Sequence, residues 1–151
     1  MQYQEMLRDV AQRARVDDEQ AATAIAATLS VLAERIDHGE REDLAPQLPL
    51  ELKELVAGRT GAGTRVSLME FLHAVAERAS VTPEKARSCA LAVLHTLRDA
   101  VGRGEMSDLF AQLPAVPRGV GATTPLTTLQ RAYPCSRRTT PAAVRTYGRQ
   151  L

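Results

Sequence analysis

Three histidines, two cysteines, a glycine cluster and one repeated polar set are the residues whose types could do chemistry. His38, His73 and His95 could bind zinc or carry protons. None has a histidine neighbour at HxxxH spacing and none sits in HExxH, so solvated surface side chains are expected. Cys89 and Cys135 lack metal-ligand spacing. Cys89 falls beside the apolar face of a helix, where a packing thiol is expected rather than a nucleophile. Gly58, Gly61 and Gly63 suggest a phosphate loop, but no strand precedes them and no Lys-Ser/Thr pair follows, so they read as a linker. Glu40, Asp43 and Gln47 recur later as Glu105, Asp108 and Gln112. Two carboxylates three apart share a helix face and could bind a cation or act as acid and base. The structural reading is the stronger: acids in a first helical turn favour its positive end, and the glutamine covers carbonyls before a proline. A fold requirement appears in both copies of a repeat, whereas a catalytic set usually appears in one. No catalytic residue, metal or cofactor is expected.

These residues are carried by a chain that repeats itself. Shifted by 65 residues, the sequence matches at 19 of the 45 positions from 5 to 49, without a gap. Leu7, Val10, Arg13, Ala14, Leu29 and Leu32 fall on Leu72, Val75, Arg78, Ala79, Leu94 and Leu97. Gly39, Glu40, Asp43, Leu44, Gln47, Leu48 and Pro49 fall on Gly104, Glu105, Asp108, Leu109, Gln112, Leu113 and Pro114.

Each copy reads as helices. Tyr3, Met6, Leu7, Val10, Ala11 and Ala14 have the spacing of one buried face, as do Leu68, Phe71, Leu72, Val75, Ala76 and Ala79. Asp17 with Gln20, and Thr82 before Pro83, mark the start of a second helix. Its buried residues are Ile25, Leu29, Leu32 and Ile36, or Ala90, Leu94, Leu97 and Val101. Gly39 and Gly104 are expected to end it in a left-handed conformation. A short helix from about Glu40 to Gln47 and another from Leu50 to Val56 complete the first copy. Glu34 and Arg35 read as a solvated face. The expected class is all-α: a tandem duplication of a helical unit, about four helices then about three. Its parts are repeat 1 over 1–56, a glycine-rich linker over 57–65, repeat 2 over 66–114 and an irregular basic tail over 115–151.

The pattern Tyr3-x-x-x-Met6-Leu7-x-x-Val10, then Leu29-x-x-Leu32-Ala33-Glu34-Arg35, then Gly39-Glu40-x-x-Asp43-Leu44-x-x-Gln47-Leu48-Pro49, resembles the bacterial domain-of-unknown-function family 2267. The resemblance covers residues 2–114. It implies a duplicated all-helical module and no assigned activity.

The tail departs from the repeat. Where the first copy continues with Leu52, Leu55 and Val56, the second has Pro117, Gly119 and Gly121, which oppose a helix. Leu94, Leu97, Leu109 and Leu113 are therefore expected to be less well covered than their counterparts. Residues 1–56 carry 6 bases against 12 acids, while residues 115–151 carry 6 arginines and no acid. Three readings stay open for this tail: a disordered arm that can touch nucleic acid through Arg131, Arg137, Arg138, Arg145 and Arg149; an out-of-frame translation; or an ordered element.

Composition bounds the rest. The 151 residues have a net charge of +1, three Tyr, two Phe and no Trp. That opposes an aromatic platform for single-stranded nucleic acid. Two cysteines do not make a disulfide framework. Met1 to Val10 has no apolar signal core, and the longest uncharged stretch, Ala21 to Ala33, is too short to cross a bilayer. The expectation is a cytoplasmic protein with free thiols and no membrane contact. It is a non-catalytic helical interaction module, binding a protein partner or itself; the alternative is a nucleic-acid-binding protein acting through the basic tail.

Overall fold

The computed structural model describes residues 2–58 and 67–101. Among them are six α-helices: α1 (Tyr3–Ala14), α2 (Asp18–Arg35), α3 (His38–Leu44), α4 (Leu50–Ala57), α5 (Leu68–Ala79) and α6 (Pro83–Ala100). A 3₁₀ turn, Ala45–Gln47, joins α3 to α4. The described residues are all helical apart from short connections.

Local sequence explains where the helices begin. The side chains of Asp17 and Asp37 accept from the Gln20 and Glu40 amides at 2.8 and 3.0 Å. Thr82 accepts from the Lys85 amide at 3.4 Å, with Pro83 at the first helical position. Ser67 and Glu70 form a reciprocal capping box. Each cap satisfies an amide that the helix itself cannot.

The helix ends correct one expectation. Gly39 does not end α2; it lies in the first turn of α3. The second helix stops earlier, with Ile36 extended at φ −94° and ψ 155°. The left-handed ends belong to α1 and α5, at Arg15 (φ 55°) and Ser80 (φ 54°). Beyond each, an amide reaches back five residues: Val16 to the Ala11 carbonyl at 3.1 Å, Val81 to Ala76 at 3.2 Å. That bond and the packing of the two valines on the core offset the cost of the left-handed turn without a glycine. Gly104 lies outside the described residues.

The elements keep the 65-residue spacing. α1 and α5 each have 12 residues, and α2 and α6 each have 18. α1 packs on α2 and α6; α5 packs on α6 and α2; α2 and α6 pack on each other. Exchanging each helix for its counterpart leaves this set of neighbours unchanged. α2 also carries α4, and is buried at most positions from Ala24 to Ala33. This all-round burial suits its near-continuous apolar sequence. Leu29, Leu32, Leu94 and Leu97 are at most 2% exposed. Leu94 and Leu97 are thus as fully buried as their counterparts, so no exposed groove is found at these two positions; Leu109 and Leu113 lie outside the described residues.

The closing helix α4 buries Leu52 and Val56 and keeps Leu55 partly covered, as expected from its spacing. The counterparts of α3 and α4, and the whole tail, lie outside the described residues.

Candidate functional site

A polar cluster lies where α1 meets α6. Arg13 donates to Asp99 at 2.7 Å and to Asp9 at 3.0 Å. The buried Thr96 hydroxyl donates to the same Asp9 oxygen at 2.8 Å. Partial burial works to lower the Arg13 pKa, but its bond to Asp99 and the charges of Asp9 and Asp99 outweigh it, raising it above its ordinary value. Asp9, Thr96 and Asp99 also line an open cleft of about 620 Å³, together with Gln2, Gln4, Glu5, Arg8 and Gln12.

Where α5 meets α2, the equivalent positions form an equivalent pair. Arg78 takes the Glu34 carboxylate with two bonds, at 2.7 and 3.2 Å. Glu34 is therefore no merely solvated residue, because it ties the two halves together. The counterparts of Asp9 and Thr96 are Ala74 and Val31. The ion pair thus belongs to both seams, while the Asp9–Thr96 bond belongs to one.

The repeated polar block divides. Glu40 lies in the first turn of α3, as expected, half-buried. Asp43 does not, because α3 starts at His38; it is exposed one residue before the helix ends. Gln47 is half-buried in the 3₁₀ turn. Glu105, Asp108 and Gln112 lie outside the described residues, as do Arg131, Arg137, Arg138, Arg145 and Arg149.

Sequence reading missed the residue between them. Arg41 is 5% exposed, and its Nη1 donates to the Ala33 carbonyl at 3.0 Å and the Ile36 carbonyl at 2.7 Å. The extended Ile36 denies Ala33 a continuing helical amide, and the guanidinium supplies the donor instead. The counterpart of Arg41 is Met106, so the repeat gave no signal for this role.

The candidate reactive groups stay apart. Exposed His38 and His73 face Glu42 and Glu77 one turn along their own helices, at 3.3 and 3.4 Å. His95 is half-buried on α6. Cys89 is buried at the floor of a cleft of about 310 Å³ that Asp17, Gln20, Val75, Val81 and Lys85 help to line. Burial pushes its thiol up, with Lys85 opposing, so it is a poor nucleophile. Among the described residues no group of three His, Cys, Asp or Glu side chains could hold a metal ion. No described helix is long and apolar enough to cross a membrane.

The helix pairs, their 65-residue spacing and the leading Tyr3 pattern lie within one family match. The model of the family described as "uncharacterized conserved protein (DUF2267)" matches residues 3–118. The chain belongs to the DUF2267 family. The match takes in α1 to α6 and runs past Pro114. No curated protein matches the chain. Membership in DUF2267 therefore fixes the kind of domain and leaves its activity to be argued from the residues.

Proposed function

We propose that this DUF2267 chain is a non-catalytic helical interaction module that binds a second copy of itself or another protein. The observation behind this reading is how its polar side chains are used. Arg13, Asp99, Asp9 and Thr96 bind one another, as do Arg78 and Glu34. Asp17, Asp37, Ser67 and Thr82 hold helix starts, and Arg41 a helix end. Groups committed in this way position helices. At the start of α4, by contrast, Leu50 is 77% exposed, an apolar side chain offered to the surroundings.

Sedimentation equilibrium of the full chain over a wide concentration range tests the self-association. A concentration-dependent dimer is expected; a monomer throughout would remove that half of the proposal.

A second reading rests on charge. Residues 115–151 carry 6 arginines and no acid, which suits contact with nucleic-acid phosphates. Binding to duplex DNA that weakens steeply with salt would favour it, whereas apolar association would change little. Absence of binding at low salt would eliminate it.

A further inference from the structure

We propose that the cleft of about 310 Å³ between α2, α5 and α6 binds a small zwitterion with an aliphatic side chain, the chemistry of a free branched amino acid. This goes beyond the interaction reading and does not depend on it. The cleft has an apolar floor. Val75 and Ala79 come from α5, Val81 from just beyond it, Ala24 from α2, and Ala86 and Cys89 from α6. All are buried except Ala79 and Val81, which are half-buried. Ala24 and Cys89 are counterpart positions, as are Gln20 and Lys85 higher in the cleft. Equivalent positions of α2 and α6 thus come together here, and side chains as small as these leave room between the helices. The volume is at the lower end of the range for ligand pockets, about 300–1,000 Å³, which limits the occupant to a small molecule.

The rim carries both signs of charge. Asp17 and Glu19 stand on the α2 side and Lys85 on the α6 side. Asp17 accepts from the Gln20 amide. Glu19 and Lys85 enter no ion pair among the described residues. Lys85 is half-buried, and its charge reaches the floor, where it opposes the effect of burial on the Cys89 thiol. A simple anion would meet Lys85 but be repelled by Glu19 and Asp17, and a simple cation would meet the reverse. A zwitterion satisfies both sides: its carboxylate pairs with Lys85, its ammonium with Glu19, and its side chain covers Val75, Ala79 and Val81.

Titration of the isotope-labelled full chain with L-leucine, followed by NMR, tests this. The amide signals of Gln20, Ala24, Val81 and Cys89 should shift together and saturate. Isocaproate, which lacks the ammonium, and isopentylamine, which lacks the carboxylate, should each bind about fivefold or more weakly than leucine. Two variants at positions that are not buried separate the charges. Lys85→Gln should weaken leucine about fivefold or more and leave isopentylamine unchanged. Glu19→Gln should weaken leucine and leave isocaproate unchanged. No saturable shift of these signals at about 20 mM leucine, a concentration that reveals even millimolar binding, overturns the site. If either relative binds as tightly as leucine, or if neither variant weakens leucine, the zwitterion assignment is overturned. None of these results bears on self-association, which sedimentation decides.

Discussion

The Arg13 guanidinium donates to the Asp99 carboxylate at 2.7 Å across the seam of α1 and α6. Its counterpart, Arg78 with Glu34, spans α5 and α2 at the same distance. Both pairs are about one-third to one-half exposed, so solvent screens them and each contributes modestly.

A double-mutant cycle should therefore give a coupling of about 0.2–1 kcal/mol for each pair, falling as salt rises. Urea melts of Arg78→Ala, Glu34→Ala and the double variant measure it. Zero coupling at low salt would show the pair to be incidental.

Arg41 is a stronger case because it is buried. Arg41→Met, the residue type at the counterpart position, keeps an apolar stem but removes both donors. Leaving the Ala33 and Ile36 carbonyls without them should cost about 1–3 kcal/mol. A melt unchanged from wild type would mean that water replaces the guanidinium without loss.

Thr28 predicts the opposite sign. Its hydroxyl is fully buried in α2 with no hydrogen-bond partner among the described residues. Its counterpart on α6 is Val93, also fully buried. Thr28→Val keeps the shape and removes a desolvated polar group, so stability should stay level or rise, by up to about 1–2 kcal/mol. A clear loss in a urea melt would point to a bond made by the hydroxyl.

Cys89 should be inert in the folded chain. In a Cys135→Ser background, alkylation at neutral pH should be about a hundredfold or more slower than in denaturant. The folded thiol pKa is raised by burial, with Lys85 opposing. Its contribution is thus fully present below the unfolded value of about 8.5 and is lost as pH rises through the folded value. Wild type should lose stability in alkali relative to Cys89→Ala. This substitution is mild because Ala24 fills the counterpart position. Rapid alkylation of the native protein would show that the thiol is accessible.

What the sequence determined by itself was the helices. The spacing of Met6, Leu7 and Val10, or of Phe71, Leu72 and Val75, marks buried faces, and all six are buried. Asp17 and Thr82 cap α2 and α6 where their types suggest. These signals act within about four residues, so they can be read along the chain. α1 and α5, like α2 and α6, start 65 residues apart, at the offset of the sequence repeat. The ends of those helices depended on more. Arg15 and Ser80 take the left-handed turn without glycine, and Gly39 begins a helix instead of ending one. What only the tertiary structure decided was which half meets which. Arg13 finds Asp99 at a separation of 86 residues and Arg78 finds Glu34 at 44. In sequence these are four charges on amphipathic helices. Packing α1 on α6 and α5 on α2 converts them into two seams, because a long-range pair exists only where the core brings its helices together.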